Sequence, residues 1–492
     1  MFKLLKQIVF SKPLSFKQRA NLVKQAGILD EQWYLNYYQD VDIDAALHFA
    51  IHGFQEGRMA DERHLQLWSA QDSSELIDEL HKQVLTKNPV VMPYAAWLLG
   101  RWYASRQCWK EALEVVSILV SKQGMLNVST PVILLFVDAL RHTGKVKKAK
   151  KVLLKRLKDQ SSVDLKLSLA NLIVAFKDDS IPKATEWLDI VNTIYVDKGL
   201  EAIGIKESHS RSIDSIECVL NQHIANDKSF QDSLVSIVVP CFNASAHIET
   251  TLRSLQHQSW QQLEIIVVDD ASTDNSVELV QALADQDSRI KVVELQQNSG
   301  AYFCRNYGVS VSNGDYITVH DADDWSHCRK IELQVKAIQH SDSSMASISS
   351  WVRVSEDMQF GSWQTPSGWA GWVHRNISSL MLKKQVIEAI GYWDNVVCNA
   401  DTEYYQRLLK YFGDDCVLHV LPDTPLAFGR FHAQSLTQVG PTNIFSIFGG
   451  LRKDYTDAYL NWHCSIKSRE ELYMPMHSAK RIFEVPPKMN RL

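Results

Sequence analysis

The chain has 492 residues, 45% of them apolar and 22% charged, the make-up of an ordinary globular protein whose length calls for two or three domains. A net charge of −5 argues against a general nucleic-acid binder, and no apolar run approaches the ~18 residues of a membrane span. The eight cysteines contain no C-x-x-C pair, which excludes zinc-ribbon and thioredoxin readings and leaves free thiols in a reducing cytoplasm as the simplest expectation.

Met1 to Phe10 interleaves apolar residues with lysines and lacks a signal-peptide cleavage site. The alternatives are a helix docked on its own domain and a short basic helix lying on a membrane surface. Region 1–90 holds Trp33-Tyr34-Leu35-Asn36-Tyr37-Tyr38 and then His48-Phe49-Ala50-Ile51-His52-Gly53, which read as two small helices with an aromatic mini-core. Gly53 and Gly57 permit a sharp exit from the second.

Region 91–225 is helical by periodicity and repeats itself. Ala112, Ala149 and Ala184 recur at spacings of 37 and 35 residues, near the period of stacked helical hairpins. The region is similar to a divergent tetratricopeptide array, which implies a protein partner, with a structural brace as the alternative. Inside it Arg141, Lys145, Lys147, Lys148, Lys150, Lys151, Lys155, Arg156 and Lys158 accumulate without an acid. Such a run is either a solvated helix face or a patch for anionic lipid or a partner.

From Leu234 the pattern becomes that of an α/β domain, with short apolar runs alternating with amphipathic stretches. Val235 to Pro240 reads as a buried strand followed by the loop Cys241-Phe242-Asn243. Leu263 to Val268 is a second strand, ending in Asp269-Asp270. Ligands of parallel sheets bind beyond the carboxyl ends of strands, where both loops fall. There a carboxylate can accept a base imide N–H or a ribose hydroxyl, or it can simply cap a helix.

Asn298-Ser299-Gly300 precedes a segment containing Arg305, whose planar fork could grip a diphosphate. The strand Tyr316 to His320 then ends in Asp321-Ala322-Asp323-Asp324-Trp325. Three carboxylates so close together repel one another unless a cation neutralises them, and hard oxygen donors suit Mg²⁺ or Mn²⁺.

These blocks, in this order and strand context, resemble the inverting family 2 glycosyltransferases over about 233–440. The resemblance implies a Rossmann-like GT-A domain with an all-α N-terminal part, so that 1–90, 91–225, 233–440 and a C-terminal helical extension at 441–492 are the expected divisions. It implies a nucleotide-sugar donor, UDP-linked by family frequency, bound by Pro240, Phe242, Asn243, Asp269, Asp270, Arg305, Asp321 and Ala322. It also implies Mn²⁺ or Mg²⁺ on Asp323, with His432 either completing that site or ordering its loop. The family's acidic pair at a helix start corresponds to Ala400-Asp401, which implies Asp401 as catalytic base. A helix N-terminus favours a carboxylate as the anion, the state that accepts a proton.

The aromatic run of the first region resembles a short motif found beside bacterial glycosyltransferases, with Gln39 where that motif has proline. Trp369 and Trp372, with Gly371 between them, are candidates for an acceptor platform or for core packing. The expected acceptor is a glycan or a lipid-linked sugar, with the chain in the cytoplasm or peripheral at the inner membrane face. A rival reading, a transferase-like scaffold without activity, rests on Ala400 and the divergent N-terminal motif. A nucleotidyltransferase is disfavoured because the loop after the first strand lacks glycines and a basic residue.

Overall fold

The computed structural model describes residues 14–38, 41–53, 58–68, 73–86, 88–123, 128–174, 181–206, 212–219, 232–361, 371–431, 440–447, 449–477 and 480–491. Met1 to Phe10, Gln39, Gly57, Trp369 and His432 lie outside these residues. Two compact units divide the chain: Met1–Asp178 with Ser362–Trp372, and Asp179–Gly361 with Val373–Leu492.

The first unit is helical. In chain order it contains α1 (Phe16–Ala26), α2 (Glu31–Tyr37), α3 (Ala45–His48), α4 (Glu62–Gln66), α5 (Ser74–Val84), α6 (Val91–Ser105), α7 (Trp109–Gln123), α8 (Thr130–His142), α9 (Val146–Asp159) and α10 (Val163–Val174). Ser15 starts α1 with a capping box to Gln18, and Asp30, Asp44 and Asp61 cap the next three. Each of α6 to α9 packs on the next, and α10 packs on both α8 and α9. Ala112 and Ala149 are fully buried, as their spacing requires of small residues between close helices. The basic helix α9 buries Ala149, Val152, Leu153 and Arg156 and turns Lys147, Lys148, Lys151, Lys155 and Lys158 to the surface. Arg156 is the exception among its cations because its Nη2 donates to the Val128 carbonyl.

The second unit begins with α11 (Ile181–Val196), the helix that the repeat spacing assigned to a third hairpin with α10. A two-stranded antiparallel ribbon follows, β1 (Ile203–Ile205) and β2 (Ile216–Cys218). The main sheet is built from β3 (Val235–Cys241), β4 (Leu263–Asp269), β5 (Ile290–Glu294), β6 (Tyr316–Val319), β7 (Trp325–Ser326), β8 (Ala346–Ser355), β9 (Phe360–Gly361), β10 (His374–Arg375), β11 (Met381–Lys383) and β12 (Val417–Phe431). Its order is β5-β4-β3-β6-β11-β8-β12-β7, with β9 and β10 pairing β8. The four strands β5, β4, β3 and β6 are parallel, and β11 joins antiparallel to β6.

Strand period two sorts the core. Val235, Ile237 and Val239 face α12 (Ile248–Gln256), α13 (Ser276–Ala284) and α15 (Lys330–Gln339). Val238, Ile266 and Val268 face α14 (Ala301–Ser310), α16 (Lys384–Ile390) and α17 (Ala400–Phe412). Full burial of each such side chain contributes about 1.5–3 kcal/mol. A Cβ at Gly308 would sit 2.3 Å from Val238 Cγ1, so α14 can lie this close to β3 only with glycine there. The second core also takes in Tyr455, Tyr459 and Trp462 of α18 (Leu451–Ser465) together with Leu472, Met474 and Met489. These residues of the expected C-terminal extension are thereby built into the core of the second unit.

Glu264 shows how the sheet satisfies a buried charge. It accepts from Ser236 Oγ at 2.5 Å, Lys291 Nζ at 2.6 Å, and the backbone and side-chain nitrogens of Asn313. Burial alone would raise its pKa, but Lys291, Ser236 and Asn313 outweigh that and hold it at about 2. The sign follows from the depressed value. The stabilisation is fully present above the unfolded pKa near 4.5 and is lost as pH falls through 2. Glu264→Gln is therefore expected to cost about 1–3 kcal/mol in urea unfolding at pH 7. The gap to wild type should narrow below pH ~4.5; an undiminished gap at pH ~3 would refute it.

Candidate active site at the carboxyl ends of the sheet

Cys241 pairs with Asp269 in register and Asp269 with Glu294, so the loops leaving β3, β4 and β5 share one rim. The loop after β6 joins them, since Val319 lies beside Val238. Asn243, in the left-handed region at φ 48°, accepts at Oδ1 from the Thr273 N–H, while its own N–H donates to Ser272 Oγ. The Ala244 and Ser245 N–H groups donate to Ser276 and Asp274. The first two loops are thus tied together before any ligand arrives. Pro240 is half-buried at the end of β3, and Phe242 stands half exposed beside it.

Asp269 and Asp270 are both buried. Asp269 Oδ2 accepts from the Ser272 N–H, and its Oδ1 has no hydrogen-bond partner among the described residues. Asp270 spends both oxygens on backbone, Oδ1 on Ser299 N at 2.6 Å and Oδ2 on Gly300 N at 2.8 Å. Gly300 makes that approach at φ 93°, a conformation side chains oppose. Asp270 therefore orders the loop that launches α14, and ligand contact by its carboxylate would use the remaining lone pairs.

Helix α14 brings two residues to the rim. Arg305 is buried, donates from Nη2 to Asp321 Oδ1 at 2.8 Å, and lies over the Tyr302 ring at 5.0 Å. Burial works against its charge, but Asp321, then Tyr302 and Asp401, leave its pKa above the ordinary arginine value. The same contact acts on the partner: burial pushes the Asp321 carboxyl up, and Arg305 outweighs this and holds it below the usual carboxylate range. Arg305 Nε and Nη1 are buried with no hydrogen-bond partner among the described residues.

The acidic loop is clamped from behind. Thr251 Oγ1 lies 2.9 Å from the Ala322 carbonyl and 2.8 Å from that of Asp324. Arg430 donates from Nε to the Asp323 carbonyl and from its backbone N–H to Asp324 Oδ1. Asp324 is therefore turned inward, and burial, with Asp323 and Asp321, holds its carboxyl well above the usual range. Asp321, Ala322 and Asp323 stay half-buried. Beneath them His320 is pushed down to about 3 by burial and Lys330. Lys330 itself is lowered to about 8 by burial, against the pull of Asp324 and Asp321.

Asp401 lies on the first turn of α17, half-buried, after Asn399 at φ 72°. Its Oδ1 accepts from Tyr302 Oη at 3.1 Å and from the Thr402 N–H at 2.9 Å. Tyr302 consequently connects the expected base to Arg305 and, through it, to Asp321. Tyr302→Phe is expected to lower kcat about 10-fold or more, since a hydrogen bond to a charged group is lost, while the melting temperature stays within ~2 °C. Unchanged steady-state kinetics would remove Tyr302 from the machinery.

Trp372 belongs to the helical unit, where it is buried and its backbone N–H donates to Asp164 Oδ1. Sequence reasoning missed Tyr302, Thr251 and Lys330, which carry no local signal. Arg430, two residues before His432, was missed as well.

The comparisons with known proteins meet this geometry. Residues 236–392 match the model "Glycosyl transferase family 2". This chain carries a glycosyl transferase family 2 domain. The glycosyltransferase GlyG of Streptococcus pneumoniae is 38% identical over 112 residues, covering 23% of this chain and 37% of that one. An uncharacterized glycosyltransferase of Haemophilus influenzae is 38% identical over 102 residues, 21% of this chain and 41% of its own. The matched stretches thus span well under half of these relatives' lengths. The solved structure of S. aureus TarS 1-349 with UDP-GlcNAc is similar over 41% of this chain and 60% of that one, at 18% identity and a TM-score of 0.34. The family 2 match ends before Asp401, so the helix carrying the expected base lies beyond it. Among the described residues no helix is long and apolar enough to cross a membrane.

Proposed function

We propose that the chain transfers a sugar, with inversion, from a nucleotide-sugar to a hydroxyl of a glycan or lipid-linked acceptor. The observation that carries this reading is the chain Asp401–Tyr302–Arg305–Asp321, which links a helix-start carboxylate to the acidic loop of a family 2 domain. A UDP-sugar is the donor to try first. Phe242 and Asn243 offer the base a wall, and the orphaned Asp269 Oδ1 and Arg305 nitrogens mark unspent polar capacity along the same rim.

In the step itself Asp401 accepts the proton of the acceptor hydroxyl while that oxygen bonds to the anomeric carbon. The bond from that carbon to the phosphate oxygen breaks on the opposite face, and the nucleoside diphosphate leaves with the electron pair. Asp321 and Asp323, the loop carboxylates not turned inward, suit Mg²⁺ or Mn²⁺, which bind through one or two carboxylates and substrate phosphates. When bound, that cation supplies charge stabilisation to the leaving diphosphate. His432 is a further candidate ligand and Trp369 a candidate for the acceptor side, whereas the burial of Trp372 in the helical unit favours its packing role. The helical unit would serve a protein partner, and peripheral membrane contact falls to its basic face.

The test is nucleoside diphosphate release from a panel of UDP-sugars with Mn²⁺, using wild type and Asp323→Ala. Donor-selective release that collapses in the variant supports the reading. Absence of release from every donor, with no UDP binding by calorimetry, would favour a scaffold.

A further inference from the structure

Away from the acidic rim, three side chains of metal-binding type converge: Cys218 at the end of β2, and His327 and Cys328 just after β7. One ligand atom from each lies within 4.8 Å of the others, and this is the only such trio among the described residues. Cys328 Sγ is 3.9 Å from His327 Nδ1, and the Cys328 N–H donates to Cys218 Sγ at 3.0 Å. Zn–S bonds of ~2.3 Å and Zn–N bonds of ~2.0–2.1 Å in a tetrahedron place sulfur and nitrogen ligands about 3.6–3.8 Å apart. The cluster is therefore already near the size a zinc ion requires.

The tautomer also fits. His327 Nε2 lies 2.9 Å from the Glu201 carbonyl, which can only accept, so Nε2 carries the proton and Nδ1 presents its lone pair to the sulfurs. A metal-bound histidine characteristically donates its other N–H to a carbonyl or carboxylate in this way. Two contacts would be exchanged on binding, the 3.2 Å donation from the Arg329 N–H to Nδ1 and the 3.9 Å contact of Cys328 Sγ with the same nitrogen. The ring is fixed by stacking on Tyr195 at 4.7 Å, and the ligand-bearing turn by Gln258 and Ser259, which donate to the His327 and Cys328 carbonyls. His327 and Cys328 are buried, whereas Cys218 is half-buried.

We propose that Cys218, His327 and Cys328 bind a zinc-class cation, separate from the Mg²⁺ or Mn²⁺ of the acidic rim. Thiolate and imidazole donors select such a cation over the hard ones that carboxylates prefer. Its place in the fold gives it a structural task. Cys328 lies four residues past Asp324. Asp214, four residues before Cys218 in the same ribbon segment, already accepts from Arg430 at 2.6 Å. The cation would lash that ribbon to the strand that closes the acidic loop.

The experiment uses the full chain, purified under reducing conditions and dialysed against metal-free buffer. Close to one zinc per chain is expected by elemental analysis, falling to background in Cys218→Ser. Cobalt added to the zinc-free protein should give a sulfur-to-cobalt charge-transfer band, kept in Asp323→Ala and lost in Cys218→Ser. That pair of variants separates this site from the rim, and the wild-type cobalt titration decides the matter even if Cys218→Ser fails to fold. No zinc and no thiolate band on reduced wild type would overturn the proposal, as would a Cys218–Cys328 disulfide persisting in the reduced preparation.

Discussion

Asp401→Asn is expected to lower kcat for sugar transfer by about 10³-fold while leaving nucleotide binding and the melting temperature near wild type. The substitution isolates chemistry from structure. Asparagine keeps an oxygen where Oδ1 accepts from Tyr302 and the Thr402 N–H, so the first turn of α17 should hold its place. What disappears is the capacity to take a proton from the acceptor hydroxyl. Removal of a positioned base costs roughly 10²–10⁴ in rate. Steady-state kinetics with the preferred donor, paired with UDP calorimetry, checks both halves. A variant with more than a tenth of wild-type kcat would move the base elsewhere.

Arg407→Met should be the most damaging substitution for stability, costing about 3–5 kcal/mol and lowering the melting temperature by roughly 10 °C. Arg407 and Glu403 have no exposed side-chain surface. The guanidinium meets Glu403 through Nε at 2.8 Å and Nη2 at 3.0 Å, and also donates to the Ile390, Tyr392 and Leu472 carbonyls. Removing it strands a buried carboxylate with only His463 Nε2, 3.1 Å away, for a side-chain partner among the described residues. The double variant Glu403→Gln/Arg407→Met should be less destabilised than the sum of its singles, because the stranded charge is gone. Urea unfolding of all three measures the coupling, and strict additivity would mean the pair is not a unit.

The parts of the fold open to sequence reading were those written locally. Val235 to Val239 and Leu263 to Val268 announce buried parallel strands by β-branched runs, and the acids after Val268 and after Val319 fall on the rim where such sheets bind ligands. The alanine spacing likewise fell on two fully buried small residues, Ala112 and Ala149. Long-range pairings were not readable. Tyr302 and Asp401 are 99 residues apart, and no periodicity relates them. Asp270 also holds the Ser299 and Gly300 N–H groups, a use visible only once the third loop is in place. Nothing in the local sequence marks Glu403 as a core residue; its partners His463 and Arg407 do. The Cys218, His327 and Cys328 cluster was equally hidden, since its two cysteines are 110 positions apart and form no motif.

The packing of residues 451–491 against α17 also sets an order of events during synthesis. Tyr455 and Arg481 grip Asp394, Met474 pairs with Gly391 and Tyr392, and the Val397 and Arg491 N–H groups close onto Met489 and Asn395. The apolar seat beneath the Asp401 helix is therefore furnished by residues translated after every strand of the sheet. Strands β3 to β6 can assemble while those residues are still inside the ribosome, but the first turn of α17 can settle only once they have emerged. A nascent chain would hold its parallel strands well before Asp401 had a fixed place beside Tyr302.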